Sequence, residues 1–245
     1  MEFGNDRKGF TLIEMAIVLV IIGIILAGVM KGRDIVRGAQ VKQFSQGYAQ
    51  KWVTIAGTYY DKVGQHLYDG DQNGGSDTNG ADGLMDDSGP MFNNVGSAAG
   101  DTGFALQALR DVGITPCTMI KSDLENDTSA TTCNNGYNVW ARTVEGEWAG
   151  RSTVQVGFYS ENAGNGMRNM VLIYNVPADV AIGLDTLIDG QADGENGACL
   201  NWTDPTSNET VANAPTNNPV ASNIYAWPGQ NQAAQIVTVG MVLDY

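Results

Sequence analysis

The chain is poor in the residues on which most metal and acid–base chemistry depends. Its one histidine, His66, excludes multi-histidine metal centres and leaves at most one imidazole base. The three cysteines, Cys117, Cys133 and Cys199, include no C-x-x-C pair and no Cys/His zinc spacing. There is no phosphate-binding loop, no G-x-S-x-G elbow and no dinucleotide fingerprint. These absences argue against an enzyme. Positive charge is also scarce: 13 Lys and Arg stand against 27 Asp and Glu, a formal net charge of −14. An acidic body of this kind is a poor nucleic-acid binder and a plausible binder of divalent cations. The first proline is Pro90, so none interrupts a helix before that point.

What the sequence does have is one long apolar run. Phe10 to Met30 is 21 residues broken by a single carboxylate, Glu14. At 1.5 Å per residue a helix of that length spans about 30 Å, one hydrocarbon core. The small residue Gly9 and the basic pair Arg7-Lys8 precede the run, an order opposite to that of a cleavable secretory signal, whose small residues follow it. Charge is uneven along the chain. Residues 10 to 62 carry six basic and three acidic residues, whereas residues 63 to 245 carry five basic and 22 acidic. Beyond the run, Val41, Phe44, Tyr48, Trp52, Ile55, Tyr59 and Val63 step by three or four, which predicts an amphipathic continuation of the helix.

Lys8-Gly9-Phe10-Thr11-Leu12-Ile13-Glu14 and the apolar run after it resemble the class III leader of type IV prepilins and of type II secretion pseudopilins. The resemblance covers about residues 7 to 60. It implies cleavage between Gly9 and Phe10 by a prepilin peptidase and N-methylation of Phe10. Glu14 then becomes the fifth residue of the mature chain. Its role by resemblance is to attract the N-terminal amine of a neighbouring subunit. Elementary chemistry offers a second use: Thr11 and Glu14 have the spacing of a capping box, in which each side chain satisfies an orphan amide at a helix start. Either way a partner is expected, because an unpaired carboxylate in hydrocarbon costs several kcal/mol.

Two acidic loops are candidate calcium sites. Asp69-Gly-Asp71-Gln-Asn73-Gly74 is D-x-D-x-N-G, the first half of an EF-hand-type loop. Gly80 stands where the bidentate glutamate belongs, so Asp77 or another nearby aspartate would have to complete the shell. In the second loop, Asp185 to Gly197, Asp189, Asp193 and Glu195 are the candidate ligands. A Gly/Asn/Asp-rich surface loop is the plainer reading of both. In an exported domain one disulfide is expected with one thiol left over, and Cys117 with Cys133 closes the shortest loop. The N-x-T sequons at Asn126, Asn201 and Asn208 would mark surface loops.

Strands are expected at 138–144, 152–159, 169–176 and 235–243, with helices over 101–112 and from about Pro177. The expected fold is α+β: a long N-terminal helix packed on an antiparallel sheet of about four strands. The expected divisions are a leader at 1–9, a membrane-spanning or filament-core helix at 10–30, its amphipathic continuation at 31–63 and a globular domain at 64–245. The resemblance implies a type IV pilus subunit that polymerises through this helix, in company with like subunits, a prepilin peptidase and an inner-membrane assembly platform. The precursor would lie in the bacterial inner membrane and the assembled form outside it. A type II secretion pseudopilin, in a periplasmic pseudopilus, or a minor or tip pilin shares these features. A rival of another class is a membrane-anchored, calcium-dependent adhesin that never polymerises.

Overall fold

The computed structural model describes residues 11–75, 80–86, 91, 102–120, 139–162, 167–203, 224–229 and 235–243. The chain divides into two compact units, Met1–Gln40 and Val41–Tyr245.

The first unit is helical. Helix α1 (Leu12–Phe44) runs without a break through Gly23, Gly28 and Gly32. From Leu12 to Val36 its large apolar side chains are exposed, with Leu12 at 92% and Ile35 at 72%. Apolar residues occupy every face of this stretch, as in a helix meant for an apolar surround rather than for one protein core.

The second unit begins where that pattern changes to a stripe. The helix passes through a π-helical turn (Ser45–Ala49) into α2 (Gln50–Val63), which ends on Gly64 in the left-handed conformation. Glycine takes that φ without a Cβ clash, which makes it the usual stop for a helix. Val41, Phe44, Tyr48, Trp52, Ile55 and Tyr59 are all buried, as their spacing predicts, and Val63 is half-buried.

The stripe packs into the core that covers one face of an antiparallel sheet. The strands are β1 (Ala141–Glu145), β2 (Arg151–Asn162), β3 (Met167–Pro177), β4 (Cys199–Asn201) and β5 (Ile236–Val242), in the order β1-β2-β3-β5-β4. Four were expected. The fifth, β4, is three residues long, too short for an alternating pattern to register in sequence. It exists because Cys199, Leu200 and Asn201 pair with Met241, Gly240 and Val239 of β5.

Period-two alternation divides the sheet's side chains. Val154, Val156, Phe158, Val171, Ile173, Val237 and Val239 share the main core with the stripe. Tyr159, Met170, Leu172 and Tyr174 form a second cluster with Trp202. Both faces of β3 are therefore covered, which is why Met170 to Tyr174 reads as an unbroken apolar run.

Among the described residues the unit also has three short α-helices: α3 (Thr102–Asp111), α4 (Pro116–Met119) and α5 (Ala178–Ile188). At the centre, the ring of Trp52 stacks on Trp140 with centroids 4.8 Å apart and meets Phe158 edge-on at 6.1 Å. The Tyr48 hydroxyl donates to the Trp140 carbonyl at 2.7 Å. These contacts account for the aromatic residues of the stripe as packing. Trp52→Ala should lower unfolding free energy by about 3–5 kcal/mol, the range for emptying a buried aromatic site. Denaturant unfolding of the full chain in detergent micelles, followed by near-ultraviolet circular dichroism, measures it.

Candidate functional site

The helix start carries the first candidate site. Glu14 Oε2 accepts hydrogen bonds from the Thr11 backbone N–H at 2.8 Å and from the Thr11 hydroxyl at 2.9 Å. In return the Glu14 N–H donates to Thr11 Oγ1 at 3.3 Å. This is the reciprocal capping box that the T-x-x-E spacing predicts. The carboxylate of a single chain thus has a local partner and remains exposed at the helix surface. Gly9 and Phe10, the cleavage and methylation residues of the sequence reading, lie outside the described residues.

The first acidic loop folds its polar groups inward onto the protein. Asp69 is buried, and its two carboxylate oxygens accept the Asp82 and Gly83 N–H groups, each at 3.0 Å. Asn73 is buried as well. Its Oδ1 accepts the Tyr59 hydroxyl at 2.8 Å, and its Nδ2 donates to Gln65 Oε1 and to the Asp69 carbonyl. Asp71 is exposed in a 3₁₀ turn, and Asp77 lies outside the described residues. Asn169 of β3 fixes the far side of the loop, accepting from Met85 N–H and donating to the Gly83 carbonyl, both at 2.9 Å. Loop and sheet are thereby one structure.

A cavity of about 410 Å³ lies under this loop, lined by Tyr60, Gln65, His66, Asp69 and neighbouring backbone. The His66 ring lies against Tyr60 with centroids 4.7 Å apart. Burial holds the imidazole pKa below its ordinary value and pushes that of Asp69 up. Burial also raises the Tyr59 phenol to about 12, helped by the Asp111 charge. These shifts follow from desolvation and assemble no acid–base pair.

The second acidic loop closes on the end of α5. Asp189 accepts the Ala198 and Cys199 N–H groups at 3.1 and 2.9 Å. Asp193, half-buried, caps its own turn, accepting from the Glu195 and Asn196 N–H groups at 3.0 and 2.9 Å. Those amide bonds hold its pKa below the usual carboxylate value. Glu195 is exposed. Asp185, which the sequence reading passed over, is fully buried under the same loop. Its position one helical turn before Asp189 was a readable signal. Among the described residues no three His, Cys, Asp or Glu side chains converge as a ready-made metal cluster.

Of the cysteines, Cys199 is a buried free thiol, its pKa raised by burial and then by Asp185 and Asp189. Cys133 lies outside the described residues. Asn201 does not mark a surface loop: it is buried in β4, and its Nδ2 donates to the Ala226 carbonyl at 2.9 Å. The sequons at Asn126 and Asn208 lie outside the described residues.

A long apolar N-terminal helix, continuous with an α+β unit built on an antiparallel sheet, is a pilin-like architecture. Residues 4–30 match the family model described as the prokaryotic N-terminal methylation motif, which is the class III prepilin leader of type IV pilins and pseudopilins. No curated protein and no solved structure matches the chain. The motif supports a subunit of pilin or pseudopilin type, a class that is structural rather than enzymatic. It fits a membrane-anchored precursor, and it implies dealings with a prepilin peptidase and with other pilin subunits in general.

The depressed His66 pKa makes stability sensitive to acid. The unfolded chain takes up this proton more readily than the folded one, so the stability His66 contributes is present above its unfolded pKa and is lost as pH falls through the folded value. Asp69, with its raised pKa, acts in the opposite direction, so a paired comparison is needed. Between pH 7.5 and 5.5, the melting temperature of the wild type should fall relative to that of His66→Gln. Parallel thermal melts of the two proteins check this.

Proposed function

We propose that this protein is a structural subunit of a type IV pilus, processed between Gly9 and Phe10 and polymerised through its N-terminal helix. One observation carries the reading: the methylation motif at residues 4–30 leads into a helix whose large apolar side chains are exposed from Leu12 to Val36. In the precursor, lipid covers those side chains; in the filament, the same helices of neighbouring subunits do. Cleavage before Phe10 creates an amine close in sequence to Glu14. In a filament the amine of the next subunit competes with Thr11 for that carboxylate. An ion pair exchanged for a local cap inside an apolar bundle sets the axial register between subunits.

The acidic unit faces outward from the cell, where calcium is available. We place a structural calcium ion at the second acidic loop. At both loops the named carboxylates also accept hydrogen bonds from the protein's own amides, so the ion would join a loop that is already hydrogen-bonded. The buried, free Cys199 leaves Cys117 and Cys133 as the pair for one disulfide.

In cells, Glu14→Ala should insert in the membrane at the wild-type level yet yield at least tenfold fewer sheared filaments. Mass spectrometry of wild-type filaments should find N-methylated Phe10 as the first residue. Unchanged surface display with no filament from either protein overturns polymerisation in favour of an anchored adhesin. Filaments formed only in cells lacking retraction motors and carrying a secretion operon would assign the pseudopilin role. Chelation should lower the melting temperature of the full chain in detergent by several degrees, and added calcium should restore it.

A further inference from the structure

Among the described residues of the second unit, Trp148 is the most exposed large apolar side chain, at 62%. It stands at the tip of the hairpin between β1 and β2, and that tip is held in place. The Gly146 N–H donates to the Gly150 carbonyl at 2.9 Å, and Gly150 takes a φ of +72° to make the turn. Asp179 of α5 accepts the Glu147 N–H at 2.9 Å. Gly146 lies so close to Pro177 that a Cβ there would overlap the proline ring. Four residues along α5 from Asp179, Gly183 packs on Val41, where a Cβ would lie 3.0 Å from Val41 Cγ1. One face of α5 therefore reaches both the hairpin and the point at which the long helix enters this unit. A fixed hairpin presents an indole that its own unit leaves bare, and tryptophan is among the side chains enriched as binding anchors.

The first unit carries a surface that complements it. A cavity of about 380 Å³ lies along α1, lined by Val29, Gly32, Arg33, Val36, Arg37 and Gln40. These positions step by three and four along one helix face. Gly32 keeps the notch open, since a Cβ there would have nothing within 4 Å. Both charges that line the notch are positive. Asp34, the one acidic residue of this stretch, is not in the lining and lies 3.9 Å from Lys31. The hairpin has the opposite balance: Glu145 and Glu147 flank Trp148, with Asp179 behind them and Arg151 the single base.

We propose that Trp148 of one copy seats in the notch at Gly32 on α1 of a neighbouring copy, between Arg33 and Arg37. This rests on the reading of the protein as a polymerising subunit and names one contact between its copies. Val29 and Val36 offer the indole apolar surface, and a guanidinium against the ring face adds a cation–π attraction. Glu145 and Glu147 meet the arginine charges. The same carboxylates make the hairpin a poor fit to anionic lipid headgroups.

A benzophenone amino acid at position 148, in cells that also express the wild-type chain, reads the contact directly. Illumination of sheared filaments should give a covalent dimer whose peptides join position 148 of one copy to residues 29–40 of another. Trp148→Ala and Gly32→Leu, the second filling the notch, should each lower the yield of sheared filaments at least about fivefold. Both should insert in the membrane at the wild-type level and keep the wild-type near-ultraviolet circular dichroism; should either fail to fold, the crosslink decides. No dimer, a dimer joined elsewhere, adducts within one chain or adducts to phospholipid alone overturn the contact and leave polymerisation standing. Wild-type filament yield from both variants does the same. A wild type that forms no filaments overturns the contact and the polymer together.

Discussion

The structure depends on one constraint: a single helix must satisfy two kinds of surroundings. From Leu12 to Met30 it is apolar on all sides but for Glu14, and its large apolar side chains are exposed within its own chain as far as Val36. From Val41 to Tyr59 only one stripe is apolar, and that stripe is buried against the sheet unit. The change at Val41 divides the chain into its two compact units. A helix that leaves its first half exposed is suited to an apolar surround, and removing that surface from water is favourable.

Glu14 carries a related tension. The capping box gives its carboxylate two donors from Thr11, so a lone chain does not hold a bare charge in the apolar helix. Those donors are neutral. A charged amine would be a stronger partner than these in a low-dielectric surround.

The acidic residues of the second unit are not merely a solvated coat. Asp69, Asp189 and Asp193 each accept two or more backbone amides from their own loops. A carboxylate used in this way organises a glycine-rich segment that has few apolar side chains to pack. Asp69 and Asp185 go further and are buried, which raises their pKa values and ties loop geometry to charge state.

The periodicities and the leader motif were legible in sequence because they are local. Spacing of three and four residues gave the long helix and its buried stripe. Alternation gave four of the five strands to within a few residues, and T-x-x-E gave the capping box. The short strand at Cys199–Asn201 was not legible, because its only cause is a partner strand some forty residues later. Nor was the burial of Asn201, whose sequon resembles any surface loop. In the acidic loops the sequence determined which residues carry charge, and tertiary structure decided which way each one points. Asp193 and Glu195 look like ligands in a row, yet the fold leaves Glu195 exposed and Asp193 half-buried on its own turn, and buries Asp185 instead. Local rules follow from covalent spacing, whereas the surroundings of a carboxylate depend on Trp227 and on amides that only the closed chain brings to it.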